Sequence, residues 1–228
     1  MPEGPEVRTV VDQLQGGVGL AFQGIQFLSG RYVRHGPPDG YKEFLETLDL
    51  DGKKSEDVIE EWNAKGKFIY IVLNDGNKKP PNDDNFKRSI WITLGMSGRF
   101  VAASMNPLQS TDPRWVIQLA RQQQHDNDDD NDANDDKETS SSCPIYYHDP
   151  RNFGTLKFSL SAAALRDNLN SLGPDILNVE TTTENLFVEL VAAQKPDLNV
   201  CKFLMNQKVR LVGNPEFQAN PLEKRAFP

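Results

Sequence analysis

Met1-Pro2-Glu3-Gly4-Pro5-Glu6-Val7 opens the chain, and these residue types can do covalent chemistry. Methionine is usually trimmed ahead of a small residue such as proline, which leaves Pro2 with a free secondary amine. An α-amino group titrates near ~7.7–8.0 and a lysine near ~10.4, so at neutral pH far more of the terminal amine is unprotonated. Only that form attacks carbon. The prolyl nitrogen is somewhat more basic than a primary α-amine, so a working site needs a nearby cation or desolvation to hold its pKa down. Glu3, the next residue, is the candidate for moving the proton. The same residues also fit an exposed, turn-rich terminus. What separates the two readings lies further along the chain.

Four later stretches matter together. Gly66-Lys67-Phe68 opens a strand and puts Lys67 at its mouth. Leu94-Gly95-Met96-Ser97-Gly98 is a glycine-bracketed turn that presents Met96. Asp149-Pro150-Arg151-Asn152-Phe153-Gly154 is a turn that presents Arg151 and Phe153, two residues apart. Lys202–Lys208 ends a helix ahead of Val212-Gly213-Asn214. Singly, each has an ordinary structural reading: a gap-filling methionine, an exposed charge beside a packed ring, a solvated strand end.

In this order, the stretches resemble the formamidopyrimidine-DNA glycosylase and endonuclease VIII-like family of base-excision repair enzymes. The resemblance runs from Pro2 to about Asn214 and excludes two polar insertions. It implies that the terminal proline attacks the sugar C1′ of a damaged nucleotide, that the adjacent glutamate donates and shuttles protons, and that the strand-opening lysine contacts phosphate. Those roles fall on Pro2, Glu3 and Lys67, and Glu6 matches a further acidic position. A base inside the stack must be flipped out to be reached. The family fills the gap with a methionine, an arginine and a phenylalanine, here Met96, Arg151 and Phe153. The implied activity is DNA glycosylase with abasic-site lyase, with neither cofactor nor metal. Gly4 makes the terminus more similar to the branch that prefers oxidised pyrimidines.

The resemblance weakens near its end. The family's phosphate-binding turn is about one residue short here, and Pro215 follows Asn214, the candidate phosphate contact, where a helix is expected. Proline has no amide to donate. The second helix of the helix-two-turn-helix and the zinc finger are expected to be absent, and the two cysteines, Cys143 and Cys201, cannot make a four-cysteine site. The chain therefore reads as a truncated product, a diverged glycosylase or a non-catalytic DNA-binding relative. A tautomerase acting through a terminal proline is a further alternative, but it has no use for the three DNA-facing loops.

The elements that must position these residues follow from texture. Val7, Val10, Val11 and Leu14 have helical spacing, so a short helix stands behind the terminus. Short apolar runs at 22–28, 68–73, 90–94, 99–103, 115–119, 145–147 and 155–158 predict an antiparallel β-sandwich or barrel. From Ser161 the pattern turns helical, at 162–170, 183–194 and 198–207, with Thr182 or Thr183 as a cap. The expected class is α+β: a catalytic β-sandwich domain over 1–160 with a terminal helix, a partial helix-two-turn-helix domain over 161–214, and an irregular tail over 215–228. Residues 74–84 read as a polar hairpin loop and 122–142 as a disordered acidic insertion.

The net charge of −8 argues against nucleic acid until it is located. Asp126–Glu138 holds seven Asp and one Glu against Lys137, which accounts for all but about one unit of it. Local basic clusters can still face phosphates. No apolar run approaches the ~18 residues of a membrane span, and no signal-peptide pattern opens the chain. The expected partner is damaged DNA, duplex or single-stranded, bound by a monomer without membrane contact. A nuclear location is expected from the Asp/Asn-rich insertion, with a cytoplasmic one as the alternative.

Overall fold

The computed structural model describes residues 2–48, 57–74, 85–102, 113–121, 142–173, 183–192 and 199. The two insertions (save residues 74 and 142), the helix expected at 198–207 (save residue 199), Asn214 and the tail lie outside them. The chain divides into two compact units, Met1–Leu169 and Asn170–Pro228.

The first unit begins with helix α1 (Gly4–Leu14). It starts three residues earlier than the apolar spacing indicated, because Pro5 is tolerated in a first turn and the Glu6 carboxylate accepts the Glu3 amide at 2.9 Å, satisfying one helix-end donor. Val7, Val11 and Leu14 form its buried face. After strand β1 (Ala21–Phe27) come two short helices, α2 (Arg31–Arg34) and α3 (Tyr41–Glu46), which the apolar pattern did not reveal. Strands β2 (Ile59–Lys65), β3 (Phe68–Leu73), β4 (Phe86–Thr93), β5 (Arg99–Ala102), β6 (Pro113–Ala120), β7 (Ile145–His148) and β8 (Thr155–Ser161) follow, then α4 (Ala162–Ser171).

The strands form two antiparallel four-stranded sheets, β1-β6-β7-β5 and β2-β3-β4-β8. Their inner faces share one core, which makes the expected sandwich. Trp115 stacks on Tyr147 with centroids 4.5 Å apart, and Phe100 meets both rings and Trp62 edge-on or tilted. The run Phe68–Leu73 is apolar without alternation because β3 is covered on both faces. Ile69, Ile71 and Leu73 point into the main core. Tyr70 and Val72 join Trp91 and Leu165 of α4 in a second cluster. α4 is thus a lid on the sandwich as far as Leu169, whose carbonyl accepts the Lys65 ammonium at 2.8 Å.

Strand β2 escaped the sequence reading for a definable reason. Its buried apolar residues are Ile59, Trp62 and Ala64, a spacing of three and then two. A register shift between Ile59 and Glu61 absorbs the extra residue, and such a bulge erases the period-2 signal.

In the second unit, α5 (Glu184–Ala192) buries Leu190 and leaves Val188 and Val191 exposed. The Thr183 hydroxyl accepts the Leu186 amide at 3.3 Å, the expected cap.

Candidate active site and nucleic-acid interface

Strand register places the candidate residues. Phe68 of β3 pairs with Thr93 at the end of β4, and Thr93 pairs with Thr155 at the start of β8. The Gly66-Lys67 turn, the loop after Thr93 and the loop before Thr155 therefore leave the same end of one sheet on three adjacent strands. Neighbouring strands lie ~4.8 Å apart, so the backbones of the first and third are separated by roughly 10 Å.

At the first position, Gly66 turns the chain with φ +58°, a left-handed conformation that strains most side chains. Lys67 then reaches back to the start of α1, where its ammonium lies 2.5 Å from Glu3 Oε2. The Lys67 side chain is 19% exposed and that of Glu3 38%. Helix α1 is held on β2 by Arg8, which donates to Asn63 at 3.2 Å, and by Gln15, which donates to the Trp62 carbonyl at 2.5 Å. Glu3 is thereby fixed at both ends: its amide by Glu6 and its carboxylate by Lys67. Pro2, half-buried, precedes it by one peptide bond. Pro2, Glu3, Glu6 and Lys67 thus form one group, in which Glu6 orients Glu3.

The second group is Met96, Arg151 and Phe153. Met96 and Phe153 are 51% and 58% exposed, unusual for large apolar side chains. The Arg151 guanidinium touches the Met96 sulfur at 3.6 Å. Beneath them lies an anchor that motif reading passed over. The Asp149 carboxylate, 1% exposed, accepts the Ser97 hydroxyl at 2.8 Å with one oxygen and the Gly154 amide at 2.6 Å with the other. One buried side chain therefore ties the Met96 loop to the Arg151 loop. The Tyr147 hydroxyl accepts the Gly95 amide at 3.3 Å. Burial pushes its phenol well above the ordinary tyrosine range. A Cβ at Gly98 or Gly154 would collide with this hydroxyl, so glycine is required by close approach.

Two arginines complete the loop's support. Arg114 donates to the carbonyls of Asp149 (2.8 Å) and Pro150 (3.0 Å) and to the Ser29 hydroxyl (3.1 Å), while Arg31 donates to the Asn152 carbonyl. No local signal marks them, since they lie 35 and 121 residues from the groups they hold. Beside the loop, Arg31, His35 and Lys157 help line a cavity of about 470 Å³ that none of the predicted site residues lines. Among the described residues no group of three or more His, Cys, Asp or Glu is placed to hold a metal ion, and no helix is long and apolar enough to cross a membrane.

The first group brings a carboxylate and an ammonium into contact one residue from the terminal proline. The second offers two exposed apolar side chains beside a cation. A Lactococcus lactis Fpg (MutM) structure with N7-benzyl-Fapy-dG DNA is 19% identical and superposes with TM-score 0.57 over 92% of this chain and 62% of its own. The same enzyme with abasic-site DNA gives 18% and 0.56, covering 92% and 62%. MutM with carbocyclic 8-oxo-G DNA gives 20% and 0.55, covering 92% and 63%. The chain therefore spans under two thirds of these proteins' length, and the likeness establishes a shared fold. No curated protein sequence matches it. The family model described as the formamidopyrimidine-DNA glycosylase N-terminal domain matches residues 1–156. With that match covering well over half of its length, the chain belongs to the formamidopyrimidine-DNA glycosylase family.

Proposed function

We propose that this chain is a base-excision DNA glycosylase with abasic-site lyase activity, working through Pro2 once Met1 is removed. The observation that carries the reading is the convergence at one sheet end of the Glu3–Lys67 pair with the exposed Met96, Arg151 and Phe153. Pro2 stands just ahead of the N-terminus of α1, whose positive end disfavours a second cation there and so favours the neutral, nucleophilic amine.

In the proposed reaction the Pro2 nitrogen bonds to C1′ of the lesion nucleotide as the C1′–base bond breaks, and the proton that the Pro2 nitrogen gives up leaves with the base. Glu3 relays a proton to the sugar ring oxygen as the ring opens. The secondary amine then leaves a cationic iminium, which draws electrons from C2′. Loss of a C2′ proton expels the 3′ phosphate, and a second elimination expels the 5′ phosphate. Lys67 has three donors and can hold Glu3 and a backbone phosphate together. Met96, Arg151 and Phe153 fill the space left by the flipped nucleotide. Gly4 supports oxidised pyrimidines as the preferred class.

The test is borohydride trapping on an oligonucleotide carrying an abasic site or an oxidised pyrimidine, with Met1 removal verified by mass. A covalent adduct lost in Pro2→Gly and in N-terminally blocked protein is expected. Folded protein that binds the oligonucleotide without forming an adduct would make the chain a non-catalytic binder.

A further inference from the structure

We propose that Arg114 and Arg31 are positioning residues that set the conformation of the Arg151–Phe153 loop before DNA is engaged; the consequence for base excision rests on the function proposed above. Three carbonyls of the Asp149–Gly154 turn, those of Asp149, Pro150 and Asn152, each accept a guanidinium hydrogen bond. They bracket Arg151 on both sides. The residue after it, Asn152, sits at φ +57°, a left-handed conformation that asparagine tolerates and few other side chains do. Arg31 holds the carbonyl of that same residue.

The support behind the arginines is rigid. The Arg114 carbonyl accepts the amides of Leu28 (2.9 Å) and Ser29 (3.1 Å), at the end of the β1–β6 ladder where Phe27 pairs with Trp115. The Ser29 hydroxyl donates to the Pro113 carbonyl at 2.8 Å and accepts from Arg114, which orients the guanidinium. The space is tight: a Cβ at Gly30 would approach Asn152 Oδ1 at 2.8 Å and Arg114 Cδ at 3.1 Å. Strand β6 of one sheet and the short helix α2 thus supply the groups that fix a loop leading into the other sheet. A loop ordered at folding does not spend binding free energy on ordering itself against DNA. Arg114 is suited to this and lysine is not, because only a planar fork reaches two carbonyls and a hydroxyl at once.

The test compares Arg114→Met, Arg114→Lys and Arg31→Met with the unsubstituted chain by amide hydrogen exchange, without DNA. The Asn152 amide donates to the Asp149 carbonyl and the Gly154 amide to the Asp149 carboxylate, so both report on the turn. In each Arg114 variant they are expected to exchange at least tenfold faster, with the Ile69 and Ile71 amides unchanged. On DNA, excision of an intact damaged base is expected to fall about tenfold, while Pro2-dependent trapping at a ready-made abasic site, which has no base to unstack, changes less than threefold. Unchanged exchange at 152 and 154 in both Arg114 variants overturns the proposal, as does faster exchange with undiminished excision. If Arg114→Met fails to fold, Arg114→Lys decides. If the unsubstituted chain forms no Pro2 adduct, the proposed function falls and exchange alone decides the positioning role.

Discussion

Asp149 offers the sharpest test of how the Met96 and Arg151 loops are held. In Asp149→Ala the buried carboxylate goes, and with it the bonds to Ser97 and to the Gly154 amide. Hydrogen bonds to a charged group contribute ~1.5–3 kcal/mol each, and a buried donor left without a partner costs ~1–3 kcal/mol. Ser97 is half-buried and its hydroxyl can turn to water, but the Gly154 amide is buried. The expected loss is about 3–4 kcal/mol, a large part of the ~5–15 kcal/mol that stabilises a domain. At ~2–4 °C per kcal/mol for a domain of this size, Tm falls by about 10 °C. Asp149→Asn keeps the shape: its carbonyl accepts the Gly154 amide and its NH2 donates to the Ser97 oxygen. It should cost about 1 kcal/mol. Urea denaturation of the three proteins measures both numbers. A loss below about 1 kcal/mol in the alanine variant, or equal losses in the two, would refute the assignment of Asp149 as a geometric tie.

Lys67→Met should separate chemistry from stability. The Lys67–Glu3 pair is partly solvated, with Glu3 38% exposed, so solvent screening leaves it worth ~0–1 kcal/mol; Tm should shift by no more than ~3 °C, while borohydride trapping falls at least tenfold, and a parallel loss of both would make Lys67 a structural residue. Tyr70 and Tyr147 carry raised pKa values, in both chiefly through burial, so the folded state prefers the neutral phenol. The stability they contribute is fully present below the unfolded tyrosine value near ~10 and is lost as pH rises toward the folded values, at ~1.4 kcal/mol per pH unit for each. Urea melts between pH 8.5 and 11.5 should show this decline beginning near pH 10, and a shallower decline in Tyr147→Phe, Tyr70→Phe protein would confirm its source, the remaining slope coming from Tyr32 and Tyr41, whose phenols burial also raises.

The fold was legible where side chains report one environment. Val7, Val11 and Leu14 marked the buried face of α1, and the run at 68–73 marked β3 to the residue because both of its faces are covered. It was illegible where one extra residue breaks the alternation, as in β2. The short helices α2 and α3 were also silent: α2 buries no residue and α3 only Phe44, too little for a helical period to emerge.

The candidate site divides along the same physical line. Residues exposed on tight turns sit in short local motifs, because a turn needs its glycines and aspartate close together in sequence; the turns that present Met96, Arg151 and Phe153 could therefore be picked out. The groups that hold those turns act across the fold. Asp149 joins Ser97 over 52 residues, and Arg114 and Arg31 reach carbonyls 35 and 121 residues away. A guanidinium bound to backbone carbonyls leaves no trace in the identity of its partners, since every residue has a carbonyl. Glu6 shows the converse. A resemblance assigns it to an acidic position, yet its hydrogen bond to the Glu3 amide gives it a local task, fixing the residue that Lys67 holds from the other side. The chemistry proposed for Pro2 and Glu3 thus depends on a helix cap and a strand turn meeting at one sheet end, and that meeting is set by the register of β2, β3, β4 and β8.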